Sequence, residues 1–403
     1  MKLADVQSFA SIHRKKVGWA ILATALFYGL FLFRMSSMMP QFAPVEVATH
    51  ISATSLRALW DNPVNAPYKL LVWLPNKFIT ESLQVTRIAA SIFGAVTIWL
   101  FFLLLKQRYS LRQAVFGTAI FATSSAFLHA SRLGAPYILQ TIMLLPFLLP
   151  LLWYHPKVPR NLVAYIMIAL FAVGLYVPGF VWFVLAAFII YRRHLFRVIS
   201  ATSNKHLAIA GVFSLVLMAP IIWSSAHDLG VLRELLGFGP ELPSLAEFVS
   251  ALARNIEALV WKSQLGADVS LVGAPLLSAV DGILALFGAY HLWSQKPRLA
   301  STFYISGIVV LAVLLASLGG SVQLIMAVPF IYLFVAAGIY YLLNEWLKVF
   351  PRNPIAKRSA VAVILVLVGI SCIFHLRAYY VAWPHNQQTK QLFVQPQPPA
   401  KRT

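Results

Sequence analysis

Long apolar runs recur along this chain with short charged stretches between them, and that alternation restricts the fold more than any other feature. About eleven runs approach the ~20 residues that a helix needs to cross a bilayer. They lie at 17–33, 88–105, 114–128, 138–154, 162–175, 180–191, 207–225, 275–293, 303–318, 324–343 and 360–374. In hydrocarbon every backbone polar group needs a partner within its own segment or barrel, so runs of this length read as helices. The expected fold class is all-α: a polytopic transmembrane helix bundle forming one integral-membrane domain over residues 1–383. Pro146, Pro150, Pro220 and Pro329 fall within runs and predict kinks or breaks. A polar, Pro-rich tail, 384–403, has too little apolar content to fold alone.

The charges between the runs are sorted by side. Of the twelve acidic residues, Glu46, Asp61, Glu81, Asp228, Glu234, Glu241, Glu247, Glu257 and Asp268 all fall in two loops, 34–87 and 226–274. Loops of the other parity are short and basic. They carry Lys106 and Arg108, Lys157 and Arg160, Arg192, Arg193, Arg197 and Lys205, Lys296 and Arg298, then Arg352, Lys357 and Arg358. Lys and Arg favour the cytoplasmic side. The His13-Arg14-Lys15-Lys16 cluster therefore places the N-terminus inside, ahead of an uncleaved first anchor. The two acidic loops and the C-terminus are expected outside, on a multi-pass protein of the cell membrane. The net charge of +20 does not indicate nucleic acid, because its basic residues form small clusters between spans and not one continuous face. The single cysteine, Cys372, lies in an apolar run and excludes both an intramolecular disulfide and a cysteine metal site. No internal repeat and no soluble domain is visible.

The two acidic loops carry the chemistry. In loop one, Pro44 starts a helical segment reaching Trp60. At ~100° per residue, His50, Arg57 and Asp61 fall within about 60° of Glu46, with Ala48, Ile51, Ala58 and Leu59 on the other side. This predicts an amphipathic helix at the membrane surface. In loop two, Ser244-Leu245-Ala246-Glu247 is a capping box that opens a helix with Leu245, Phe248, Leu252, Ile256 and Leu259 on one face. Gly266-Ala267-Asp268 follows as a turn.

Four stretches, in this order and on this side, resemble the class C (GT-C) glycosyltransferases, and within them the branch of protein O-mannosyltransferases and the lipid A aminoarabinose transferase. Pro44-Val45-Glu46 followed by Asp61-Asn62-Pro63-Val64-Asn65-Ala66-Pro67-Tyr68 is similar to the family's first loop. Ser131-Arg132-Leu133-Gly134-Ala135-Pro136-Tyr137 looks like its Ser/Ala-Arg motif at the outer mouth of the third and fourth spans. Gly266-Ala267-Asp268, with Ala274-Pro275 and Leu286-Phe287-Gly288 after it, is similar to the entry into a late span. Gln323-Leu324-Ile325-Met326-Ala327-Val328-Pro329-Phe330 resembles a late span that carries a proline. The family's pattern is not complete: Val45 and Tyr137 stand where it often has acids, and Asn65 is the nearest match to an acid that helps hold a metal in the aminoarabinose transferase. A divalent cation would thus lack most of the family's carboxylate ligands.

The resemblance implies a transferase that moves a sugar from a polyprenyl-phosphate carrier to a protein, lipid or glycan acceptor at the outer face of the bilayer. Such a reaction needs a base for the acceptor hydroxyl and positive charge for the departing phosphate. Glu46 is the expected base, His50 one turn on its orienting or phosphate-contacting neighbour, and Asp61 a second acid. Arg132, in a short outer turn, is the expected phosphate ligand. Arg57, Asn65, Tyr68, Tyr137, Lys69, Asp268 and Gln323 complete the expected substrate-binding set. Arg87, Arg254 and Lys262 are further phosphate candidates. Asp281 lies within an apolar run and is either functional or a hydrogen-bonded structural group. Glu81 and Glu234 read as solvated. The alternatives are a transporter or flippase of lipid-linked saccharide and a non-catalytic family member. The absence of repeats and the concentration of charge in the loops weigh against transport.

Overall fold

The computed structural model describes residues 22, 24–39, 41–78, 82–142, 159–295 and 299–393. The N-terminal basic cluster, Glu81, Pro146 and Pro150, Lys157, Lys296 and Arg298, and most of the 138–154 run lie outside the described residues. Those described are helical and loop, with no strand.

The apolar runs become helices close to where their composition puts them. Gln84–Arg108, Asn204–His227, Val322–Val349 and Pro354–His385 are long and apolar enough to cross a membrane; Ala164–Gly174, Ala279–Trp293 and Ser301–Ser317 are shorter apolar helices. Ala327–Val349 runs through the centre, with Phe330, Tyr332, Val335, Ala336 and Ile339 all buried. A helix apolar on every side is stable only when surrounded, and this one is. It meets Ala279–Trp293 backbone to backbone: a methyl group on Gly288 would strike the Phe334 carbonyl, and one on Gly338 the Leu284 carbonyl. Small residues at such crossings let membrane helices approach closely.

The sharpest break is not at a proline. Leu111–Thr123 and Ser125–Arg132 meet at 62° around Ser124. Ser124 Oγ accepts from Phe127 N at 3.3 Å, capping the second piece. Ser125 N donates to His375 Nδ1 at 3.2 Å, so Nε2 is the protonated ring nitrogen and faces Asp281 Oδ2 at 2.6 Å. Ser371 Oγ donates to the other Asp281 oxygen at 2.6 Å. Tyr332 donates to Oδ2 at 3.2 Å and Ser278 N at 3.0 Å. Asp281 is thus a fully hydrogen-bonded group that fastens four helical segments together. Pro329 sits in the first turn of its helix, where no intrahelical donor is lost. Pro220 lies inside Asn204–His227 without ending it.

Loop one is not the single surface helix expected. It forms Pro44–Ser52, Leu56–Asp61 and Ala66–Phe78, because Ser55 turns extended and caps a new start, its Oγ accepting from Ala58 N at 3.1 Å. That break removes Arg57 and Asp61 from the stripe of Glu46. The polarity is also reversed: Glu46 and Thr49 are buried, and Ile51 is 60% exposed. In loop two the capping box forms as expected, Ser244 N donating to Glu247 Oε2 at 2.8 Å. The packed face of Leu245–Val260 is rotated from the expected one and is centred on Asn255 and Ala258, with Asn255 Nδ2 donating to Ser317 Oγ at 2.9 Å. Leu245, Val249, Ile256 and Val260 are left exposed, an apolar edge suited to the bilayer interface. Beyond Trp383 a short helix, Gln387–Leu392, lays Phe393 against the Trp383 ring at 5.7 Å, where the tail's composition gave no reason to fold; residues 394–403 lie outside the described residues.

Candidate active site

Glu46 is at N3 of the Pro44–Ser52 helix, and its Oε2 accepts from Ala43 N at 2.8 Å. Arg87 Nε and Nη2 fork onto its two oxygens, each at 2.8 Å, and Gly134 N adds a bond to Oε1 at 2.7 Å. Gly134 has to be a glycine: a Cβ there would sit 2.8 Å from Glu46 Oε1 and would overlap Thr86 Oγ1. Arg87 is equally committed. Its Nη1 donates to Met39 O at 2.7 Å, its Nη2 to Gln41 O at 2.5 Å, and it lies over the Phe42 ring at 4.4 Å. Both side chains are fully buried. Four hydrogen bonds occupy this carboxylate, so no oxygen is free to receive a substrate proton. The pair ties loop one to the Gln84–Arg108 helix and to the 131–137 turn.

The other expected catalytic residues do not join Glu46. Asp61 and Arg57 form an exposed i,i+4 pair at 3.9 Å. His50 Nδ1 is 3.4 Å from Asn76 Nδ2. Tyr68 is buried and donates to Thr86 O at 2.5 Å, again joining loop one to the Gln84–Arg108 helix. Arg254 is exposed and reaches Ser250 Oγ at 3.3 Å; Lys262 is exposed.

Asn65, Tyr137 and Gln323, which are far apart in sequence, do come together. They line a cavity of about 580 Å³ built from five connections: loop one at Asn65, the turn at Pro136 to Gln140, the turn at Pro178, loop two at residues 230–240, and residues 319–323. All five belong to the acidic, longer-looped parity of the chain. A close glycine contact and two hydrogen bonds close its frame. Gly179 and Gly237 both have positive φ, and a Cβ on Gly237 would come within 2.8 Å of Gly179 Cα. Gly179 N donates to Leu235 O at 2.9 Å, and Trp182 Nε1 donates to Leu236 O at 2.8 Å.

The cavity wall is short of hydrogen bonds. Asn65 Oδ1, Gln140 Oε1 and Gln323 Oε1 are buried with no partner. Buried polar atoms are normally paired, so three orphaned amide oxygens among the lining residues leave hydrogen-bonding capacity unused around this cavity. Charged groups sit beside them. Glu234 lines the cavity, and partial desolvation raises its pKa above the usual carboxylate value, with Lys69 opposing the shift. Lys69 Nζ donates to Asn62 O at 3.0 Å; burial lowers its pKa to about 8, against the pull of Glu234. Tyr137 donates to Asp268 Oδ2 at 3.1 Å, and burial together with that carboxylate pushes its phenol up. Asp268 O accepts from His129 Nε2 at 2.8 Å.

Arg132, the last residue of the Ser125–Arg132 helix, is not among the residues that line the cavity. It is fully buried, donates from Nη2 to Phe33 O at 2.6 Å, and lies over the Tyr379 and Tyr380 rings at 5.2 and 4.9 Å. Its Nε and Nη1 have no partner. No carboxylate pairs with it among the described residues.

The donor set does not fit a divalent cation. Glu46 is saturated, Asn65 is neutral, and no group of three or more His, Cys, Asp or Glu side chains is placed to hold a metal among the described residues.

Glu234, Gln140 and the Glu46–Arg87 pairing were not visible in the sequence. Glu234 had one usable signal: Val231 and Leu235, one turn apart, bury against Val64 beside Asn65 and bring the acid to the cavity edge.

An all-α bundle with several membrane-length helices and a cavity at one set of connections defines a class of multi-pass integral-membrane protein. The chain superposes on ArnT from Cupriavidus metallidurans bound to undecaprenyl phosphate with a TM-score of 0.54 and 13% identity, covering 93% of this chain and 77% of that one. On the apo state of the same protein the TM-score is 0.56 at 12% identity, covering 94% and 78%. The resemblance read from the sequence, to the lipid A aminoarabinose transferase branch of the GT-C fold, holds at the level of fold. No protein-family model matches the chain, and no curated protein matches it in sequence.

Proposed function

We propose that the protein is a membrane glycosyltransferase that takes a sugar from a polyprenyl-phosphate carrier and passes it to an acceptor at the outer face of the membrane. The observation that carries this reading is the cavity: five connections of one parity converge on it, and Asn65, Gln140 and Gln323 line it with amide side chains whose oxygens have no partner in the protein. Sugar hydroxyls are the complementary donors. The fold supports the same reading, since ArnT, which shares it, binds undecaprenyl phosphate. Arg132 is the proposed phosphate ligand. A fully buried guanidinium with two unpartnered nitrogens, Nε and Nη1, and no carboxylate partner among the described residues is costly on its own, and an anion offsets that cost. Its planar fork matches a phosphate in a way an ammonium does not. Lys69 and Asp268 flank the cavity as a second cation and an orienting carboxylate for Tyr137.

The test uses purified full-length protein in nanodiscs with labelled undecaprenyl-phosphate glucose, mannose and aminoarabinose, and host membrane lipids and proteins as acceptors. Release of undecaprenyl phosphate from at least one donor is expected. Arg132→Ala should weaken donor binding about 10-fold or more, and Arg132→Lys should recover only part. Unimpaired donor binding in Arg132→Ala removes that residue from the site. Donor carried across a vesicle membrane without being consumed replaces transfer with transport.

A further inference from the structure

A transferase at this cavity needs a proton acceptor, and neither Glu46 nor Asp61, the described first-loop acids, supplies one there. Glu46 is closed off by four hydrogen bonds, and Asp61 is exposed beside Arg57; neither lines the cavity. Glu234 is the one carboxylate among the lining residues. It makes no hydrogen bond to the protein among the described residues. The backbone around it is nonetheless fixed. Val231 and Leu235 pack on Val64 with Ile221 at the edge, and Leu235 O and Leu236 O accept from Gly179 N and Trp182 Nε1. A rigid segment therefore presents an unencumbered carboxylate beside three orphaned acceptors.

We propose that Glu234 is the general base of the reaction, an assignment that rests on the transferase reading above. The acceptor hydroxyl gives its proton to the Glu234 carboxylate as its oxygen bonds to the anomeric carbon. The bond from that carbon to the carrier phosphate oxygen breaks, and its electron pair leaves with the polyprenyl phosphate. The charged groups facing Glu234 are Lys69, across the loop-one contact, and its neighbour Arg233; the remaining polar wall, Asn65, Gln140, Tyr137 and Gln323, is neutral. Glu234 is exposed at the cavity edge, and partial desolvation there raises its pKa while Lys69 opposes the shift, the direction a base working near neutral pH requires.

The experiment compares the parent, Glu234→Gln and Glu234→Asp in the nanodisc assay. Expected for Glu234→Gln are unchanged thermal unfolding and donor affinity, kcat lower by at least about 10², and loss of the acidic limb of the kcat profile. Glu234→Asp should recover part of kcat. An active parent together with a fully active Glu234→Gln overturns the base assignment and leaves the transferase reading standing. A parent that binds no donor and releases no polyprenyl phosphate overturns both.

Discussion

Loop one surrounds the Glu46 carboxylate with four hydrogen bonds, whereas loop two leaves the Glu234 carboxylate with none among the described residues. The two groups have the same chemistry and sit in neighbouring loops. One is buried with a bidentate arginine, and the other opens on a cavity whose amide oxygens are also unpaired. Saturation is what a structural carboxylate needs, because an unpaired buried charge is expensive. A reacting carboxylate needs the opposite: free lone pairs and rigid support that comes from elsewhere. Hydrogen-bond count therefore separates the saturated Glu46 from the proposed base Glu234 better than position in the chain does.

Three measurements bear on that contrast. The largest effect belongs to the saturated pair. Arg87→Ala strands Glu46 in the interior and should cost about 3–5 kcal/mol, seen as a loss of folded protein or a strongly lowered unfolding midpoint in detergent. Replacing both partners with apolar residues, Glu46→Leu with Arg87→Met, should recover much of that loss. If Arg87→Ala unfolds like the parent, Glu46 is not structural and the contrast fails.

Lys69 gives a smaller, pH-dependent effect. Its folded pKa of about 8 lies below that of an exposed lysine, so the folded state binds fewer protons between about pH 8 and about 10.5. Stability should rise with pH across that window and flatten in Lys69→Met. An unfolding midpoint whose pH dependence is the same in both proteins would show that Lys69 is not buried beside Glu234.

The smallest effect is at Arg57. Its pair with Asp61 is exposed at both ends, and Arg57→Ala should leave both the unfolding midpoint and turnover unchanged. A clear loss of turnover would return the Asp61 region to the site.

Much of the architecture could be read from the residues, because span length and charge placement are local properties. The 88–105 and 207–225 runs become Gln84–Arg108 and Asn204–His227, and the Ser244 capping box forms as written. Asn65, Tyr137 and Gln323, placed in the site by resemblance, do meet in one cavity. Pairings across the fold were not readable. Glu46 and Arg87 are 41 residues apart, and no periodicity connects them. The stripe of Glu46, His50, Arg57 and Asp61 failed at Ser55, whose capping strength outweighs helix continuity. Glu234 read as solvated and is exposed, but its place at the cavity edge follows from the packing of Val231 and Leu235 on Val64, which no local pattern announces.

The contacts of Gly237 with Gly179, and of Gly239 with Gly319, fasten loop two through main chain and not through side chains. A fastening of that kind is indifferent to what the neighbouring side chains are. The residues facing the cavity between those points can be exchanged for others while the mount that carries them stays in register. Such a mount suits a scaffold whose ligand preference is retuned by a handful of substitutions, and residues 233 and 238 are the positions at which a designer would begin.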